Sequence, residues 1–141
     1  MSQESTTPGL EEMLRRGLEA LSHGDYDSLV ALYSEGAVWD RSAMGLEVSA
    51  GRDAILGVIE DWRASYEDYE VVVEEFRDLG NDVAFAVILT RGRPRGSGGL
   101  VEWRSALVWA VGPNGLIERL ASYADIAEAR AAAERLAQER G

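Results

Sequence analysis

Cysteine is absent from the 141 residues, and histidine occurs once, at His23. The first absence excludes a disulfide framework and a thiol nucleophile, and it is compatible with a reducing cytosol. With a single imidazole and no thiolate, no transition-metal constellation can be assembled from these residue types. Lysine is also missing: all 14 basic residues are arginine, set against 25 acidic ones, for a formal charge of −11. Such a charge repels phosphate backbones and anionic lipid, which argues against nucleic-acid and membrane partners. No run approaches the roughly 18 apolar residues of a membrane span. The polar start, residues 1–8, lacks the basic and apolar segments of a signal peptide. These features predict a cytoplasmic protein, with a disordered tail over 1–8 and a single domain over 9–138.

What is present is a change of hydrophobic period partway along the chain. Leu10, Leu14, Leu18 and Leu21 fall on one stripe of a helix that starts near Thr7-Pro8 and stops at Gly24. At that end His23 is placed to satisfy carbonyls and the helix dipole. Asp25 caps a second helix with Leu29, Leu32 and Tyr33 on its buried side and Gly36 as its end. Ala37 to Asp40 reads as a short strand, and Arg41 to Ala50 as a loop with a small edge strand. Gly51-Arg52-Asp53-Ala54 opens a third helix whose face is Ile55, Val58, Ile59, Trp62 and Tyr66.

From Tyr69 the period is two. Strands are predicted over Tyr69 to Leu79, Val83 to Arg91, Leu100 to Val111 and Leu116 to Ala124, joined by Gly80-Asn81-Asp82, a glycine-rich segment and Gly112-Pro113-Asn114-Gly115. Asp125 with Glu128 has the spacing of a capping box for a short final helix lined by Ile126, Ala129, Ala133 and Leu136. Helices first and an antiparallel meander afterwards place the chain in the α+β class. Val83 to Leu89 contains no polar residue, and Ser105 to Val111 only one, at its start. Strands of this kind are covered on both faces. The helices supply one cover, so the expected second cover is another copy of the chain.

The order of these elements resembles the nuclear transport factor 2-like superfamily, and within it the SnoaL-like branch. The resemblance is carried by Gly24-Asp25-Tyr26-Asp27, Leu29-Val30-Ala31-Leu32-Tyr33, Ala37-Val38-Trp39-Asp40, Gly51-Arg52-Asp53-Ala54-Ile55, Gly96-Ser97-Gly98, Arg104-Ser105-Ala106, Gly115-Leu116-Ile117 and Tyr123-Ala124-Asp125. It implies a cone: three N-terminal helices packed on a curved antiparallel sheet, a short C-terminal helix, a pocket at the wide end and a homodimer through the sheet. It also implies a small apolar molecule as partner and, where members are enzymes, isomerase, cyclase or dehydratase chemistry without a cofactor. Other members bind ligands or assemble without catalysis.

Against that frame Asp40 is the sharpest catalytic candidate, since a carboxylate held beside Trp39 near the pocket mouth would be desolvated, its pKa raised, and able to move a proton. Laid on the ketosteroid isomerases without a gap, however, the general base falls on Arg41, the hydrogen-bonding tyrosine on Gly17 and the oxyanion-hole acid on Leu107. Arg104 is the second candidate, as a clamp for developing negative charge or as half of a salt bridge with Glu102 or a neighbouring-strand acid. Trp39, Trp62, Tyr66, Trp109 and Tyr123 are candidate pocket residues, each also able to serve as core or as a helix anchor. Trp103 shares its face with Trp109, opposite Arg104, and the two are placed either to line the cavity or to fill the core. Glu60-Asp61, Glu67-Asp68 and Glu74-Glu75 lack a calcium-loop pattern and read as solvated faces, although Glu75 shares alternation with Val71 and Val73. Arg91 to Gly99 is the one basic island, and it lacks the lysine and helix of a phosphate loop.

Overall fold

The computed structural model describes residues 9–141; the expected tail and Thr7-Pro8 lie outside the described residues. Helix α1, Leu10–His23, buries Met13, Leu14 and Ala20 and ends at Gly24, whose φ of +71° is the left-handed stop that glycine adopts without strain. The carbonyls at this end go to a distant arginine: Arg63 donates through Nε to the oxygen of Leu21 (2.7 Å) and through Nη2 to that of Ser22 (2.8 Å). Asp25 caps α2, Tyr26–Val30, by accepting from the Ser28 amide at 3.2 Å. The helix is shorter than its hydrophobic spacing suggests. Tyr33 already opens β1, Tyr33–Asp40, because the Ile117 amide donates to the Leu32 carbonyl (2.8 Å) and Tyr33 takes Ile117 as its sheet partner. Pairing across the fold overrides local helical preference here.

A 3-10 turn at Ser42–Met44 leads to β2, Val48–Ala50, and α3, Arg52–Ala64, follows. Tyr66 therefore lies beyond α3 and begins β3, Tyr66–Gly80. The remaining elements are β4, Val83–Pro94; β5, Val101–Val111; β6, Ile117–Tyr123; and α4, Ile126–Arg140. The six strands form one sheet in the order β2-β1-β6-β5-β4-β3. Its hairpins are antiparallel as expected, but β1 runs parallel to β6, so the sheet is mixed. These two strands are far apart in sequence, and no tight turn constrains their direction.

The inner face carries Ala84, Ala86, Trp109 and Leu120 against Met13, Leu14, Leu29 and Ile55 from the helices. On the outer face Phe85, Val87, Ala106 and Val108 meet Ala129 and Ala133 of α4. The second cover predicted for the apolar strands is thus the chain's own last helix, and the inference of another copy from these residues is corrected. Nor is that helix short: its 15 residues make it the longest in the fold. Ala129, Ala133 and Ala137, four residues apart and 0%, 0% and 6% exposed, give it a flat stripe that lies close on the strands. Asp125 caps it by accepting from the Glu128 amide (3.0 Å), Asn81 Nδ2 donates to the Ala137 carbonyl (2.6 Å), and Arg140 Nη2 donates to that of Val111 (2.8 Å).

Two irregularities in β3 decide which of its side chains face inward. Pairing with β4 slips between Glu67 and Glu70, where Asp68 has a φ of +55°, and again between Val73 and Glu75. An extra residue shifts the alternation beyond it. At the first slip Tyr66 and Tyr69 come to the same side, their ring centroids 5.8 Å apart. At the second, Glu75 leaves the face of Val71 and Val73 and pairs with Arg130 of α4 at 3.1 Å.

Candidate functional site

Between α1, α3 and the inner sheet face lies a cavity of about 190 Å³ that opens beside the exposed side chains of Leu46 and Trp62. An apolar cavity of about 150 Å³ is enough to accept benzene. Leucines of α1 form one wall and Val71, Ile88 and Leu107 part of the other. All four tryptophans of the chain, Trp39, Trp62, Trp103 and Trp109, line it. Trp62 sits edge-on to Trp103 at 5.8 Å between ring centroids, a favoured aromatic arrangement.

The polar groups of this wall are chiefly donors. Trp39 and Trp62 direct their indole N–H groups to Ser122 Oγ (2.9 Å) and to the Tyr69 hydroxyl (3.0 Å), leaving both hydroxyl protons available. Burial pushes the Tyr33 phenol up to about 12 and also raises that of Tyr69, so both remain protonated at neutral pH. Thr90 and Ser105 add buried hydroxyls. The Trp109 indole nitrogen and Arg41 Nε are buried without a hydrogen-bond partner among the described residues. Arg41 is 8% exposed, its guanidinium lies 4.8 Å from the centre of the Trp39 ring, and its nearest carboxylate, the exposed Glu47, is 3.9 Å away. That separation is beyond hydrogen-bond reach. Among the described residues, no aspartate, glutamate or histidine lines the cavity, and no group of three such residues is placed to hold a metal.

Of the predicted pocket residues, Trp39, Trp62 and Trp109 form the wall. Tyr66 stands behind it, packed on Trp62 (5.5 Å) and Trp103 (5.6 Å). Tyr123 is on the outer face, against α4 in the cluster of Phe85 and Ala129. Asp40 and Arg104 are brought neither to the cavity nor to each other. The Asp40 carboxylate accepts from the Ser42 hydroxyl (2.6 Å) and amide (2.9 Å) and from Arg119 (3.1 Å). These bonds, Ser42's foremost, hold its pKa below the ordinary aspartate value, opposite to the expected rise. Arg104 pairs with Glu74 through two hydrogen bonds on the outer face. The basic island is neutralised in the same way: Arg91 pairs with Glu102 (2.6 Å) and Glu70 (3.5 Å), Arg93 with Asp68 and Arg95 with Glu67 (both 3.5 Å).

Sequence reasoning passed over Arg41, Tyr69 and the hydroxyls of Thr90, Ser105 and Ser122 as site residues. For Arg41 two signals existed: alternation from Trp39, and the ungapped match that laid the isomerase base on it. All three positions given by that match, Gly17, Arg41 and Leu107, line the cavity. A carboxylic base, a tyrosine and a carboxylic acid are replaced by a guanidinium, a hydrogen and an isobutyl group.

The family model for the SnoaL-like domain matches residues 14–120. No curated protein matches the sequence. Among solved structures, a hypothetical protein with a ketosteroid isomerase-like fold from Catenulispora acidiphila, in complex with trimethylamine, superposes with a TM-score of 0.71 at 18% identity, covering 91% of this chain and 94% of that one. Rv0760c from Mycobacterium tuberculosis, in complex with estradiol-17beta-hemisuccinate, gives 0.71 at 17% identity over 86% and 97%. The epoxide hydrolase/cyclase-like enzyme SalBIII, described with pyran ring formation in the polyether salinomycin, gives 0.69 at 16% over 83% and 91%. At these identities the likeness is one of fold.

Proposed function

The chain belongs to the SnoaL-like family, and from the chemistry of its cavity we propose that it binds a compact, apolar ring compound bearing oxygen acceptors. The observation that carries this reading is the composition of the wall: tryptophan and leucine surfaces interrupted by a buried guanidinium with no carboxylate within hydrogen-bond reach among the described residues, and by protonated hydroxyls. Apolar surface supplies the affinity and a few directed donors supply the orientation, the usual division of labour in small-molecule sites. Acid-base isomerisation in the steroid-isomerase manner is not part of the proposal, because the positions that would carry it hold Gly17, Arg41 and Leu107.

A second reading, a cofactor-independent cyclase or dehydratase, is favoured by one observation. Arg41 is a fixed, buried cation beside the cavity, and such a group stabilises negative charge that develops on a substrate oxygen. In that reading the guanidinium stabilises the developing negative charge, a hydroxyl of the wall such as that of Tyr69 donates the proton, and Asp40 and Arg104 stand outside the chemistry. We also propose a cytoplasmic homodimer through the part of the sheet that α4 leaves open, where Val72 is 37% exposed and the Glu74–Arg104 pair lies.

Because every tryptophan borders the cavity, intrinsic fluorescence reports occupancy directly. A screen of one- and two-ring carbonyl compounds is expected to yield saturable quenching, with the same compound retained in native mass spectra. Quenching that never saturates for any member of the screen would overturn the binding reading. Conversion of a bound compound, lost in Arg41→Met, would select the catalytic one.

A further inference from the structure

Among the described residues, Arg41 and Trp109 are the two with a buried side-chain nitrogen that lacks a partner, and both line the same cavity, Arg41 just beyond the end of β1 and Trp109 from β5. Trp109 is 2% exposed and Arg41 8%, and folded proteins normally pair the donors of residues so buried, since an unmet buried donor, and above all a buried charge, is costly. The flanking donors behave in the ordinary way: Trp39 and Trp62, in the same wall, each have an oxygen acceptor within 3.0 Å. The Trp109 nitrogen and Arg41 Nε are closed off by surrounding protein, so the groups left to meet a ligand are the Nη nitrogens of Arg41, whose side chain lines the cavity.

Their positions in the sheet set them apart. Trp39 pairs with Leu120, and Leu120 with Trp109, so two inter-strand spacings separate the tryptophans, roughly 10 Å along the cavity wall. Arg41 lies at the Trp39 end, with its backbone carbonyl accepting from the amide of Leu46, whose exposed side chain marks the mouth. Trp109 lies in the core cluster with Phe76 and Ile55. One end therefore offers a planar cation, and the other an apolar aromatic surface.

Resting on the reading that the cavity binds a ring compound, we propose that this ligand is a carboxylate: an aromatic or alicyclic acid whose carboxylate pairs with the Arg41 Nη groups at the mouth and whose apolar ring extends toward Trp109. A guanidinium matches a carboxylate through parallel N–H donors, and Trp39 holds one of its faces. Glu47, 3.9 Å away and mostly exposed, lends the site a partial countercharge without filling the donor positions. Among the described residues no acidic side chain lines the wall, so an anion inside the cavity meets the cation of Arg41 with no carboxylate among the lining residues.

The test uses the full chain and a matched pair of probes, 6-methoxy-2-naphthoate and its neutral carboxamide, titrated by calorimetry and by tryptophan quenching. The carboxylate is expected to bind at least tenfold more tightly than the carboxamide. In Arg41→Met the preference disappears because carboxylate affinity falls to that of the carboxamide, whose own affinity is unchanged. Equal binding of carboxylate and carboxamide to the native chain overturns the anion assignment and leaves the binding reading standing. Absence of saturable binding by either probe overturns both. The native comparison needs no variant, so a misfolded Arg41→Met leaves the result intact.

Discussion

The assignment of α4 as the outer cover of the sheet has a measurable consequence at Phe85. This side chain is 1% exposed, lies in the cluster formed with Ala129 and Ala133, and has the Arg130 guanidinium 4.8 Å above its ring. Truncation in Phe85→Ala removes a fully buried ring and leaves a void that the flat alanine stripe of α4 can close only by moving the whole helix. Such changes cost about 3–5 kcal/mol. Loss of the cation–π contact adds about 0.5–1 kcal/mol, and little more, because Arg130 keeps its bonds to Glu75 at 3.1 and 3.3 Å. Taking about 4 kcal/mol, and about 3–4 °C per kcal/mol for a chain of this length, the melting temperature should fall by roughly 12–16 °C. Thermal and urea unfolding measure the loss, and size-exclusion chromatography with light scattering reads the oligomeric state beside it. An intramolecular contact predicts full destabilisation with the number of subunits unchanged. If Phe85→Ala instead converted an oligomer to a stable monomer with little change in unfolding free energy, the face would belong to an interface, and the reasoning that gives it to α4 would be refuted.

Three further outcomes follow from the geometry. Asp40→Asn removes a carboxylate whose pKa is held low by Ser42 and Arg119, so its stabilising effect is present above the unfolded aspartate pKa and is lost as pH falls through the lower folded value. The variant should be less stable than the native chain by under about 1 kcal/mol at pH 7 and equal to it at pH 2, with probe affinity unchanged; denaturant titrations at the two pH values decide this. Tyr33 carries the opposite sign: with the folded phenol at about 12 against 10 unfolded, its stabilising effect is complete below pH 10 and disappears as pH rises through 12. Two units correspond to roughly 3 kcal/mol, so Tyr33→Phe should lose about that much less stability between pH 9 and 12 in urea titrations. At Gly92 an added Cβ would stand 2.9 Å from Tyr66 Cδ1, the body of a ring and not a flexible tip. Gly92→Ala should cost about 1–3 kcal/mol and, by pushing Tyr66 against Trp62 and Trp103, alter the tryptophan emission spectrum.

Most of the elements were legible because their signals are local. Leucine spacing on α1, the Asp25 and Asp125 caps and the Gly80-Asn81-Asp82 turn each specify structure within a few residues, and each is where it was expected. The end of α2 was not, because Tyr33 is drawn into β1 by a partner, Ile117, 84 positions away. The second cover of the sheet was ambiguous for a different reason. Val83 to Leu89 requires apolar contact on both faces, but burial is indifferent to whether the covering residues come from the same chain or another. Resolving it required noticing that Ala129, Ala133 and Ala137 form a stripe as long as the strands are wide.

The site was harder to read because it depends on which face each strand residue takes. Along a regular strand neighbours point oppositely, so Trp39 in the cavity excludes Asp40 and admits Arg41, just as Trp103 excludes Arg104 and Ser122 excludes Tyr123. At Asp40 and Tyr123 the residue with the more obvious chemistry or size was chosen ahead of the one with the right parity, whereas Trp103 was already placed on the face of Trp109, opposite Arg104. Alternation alone would have corrected the first two choices. It would not have found Tyr69, which comes to the cavity side only because Asp68 takes a left-handed conformation and β3 slips by a residue. Nothing in Glu67-Asp68-Tyr69 announces that slip, since aspartate in such a conformation is uncommon and here carries no adjoining glycine. The same strand holds Glu75 outward through its second slip. Parity is therefore a sufficient guide from Tyr33 to Arg41 and in β5; in β6 it holds from Leu120 to Tyr123 but a register shift brings Ile117 to the cavity as well, and β3 is the strand in which three-dimensional information was indispensable.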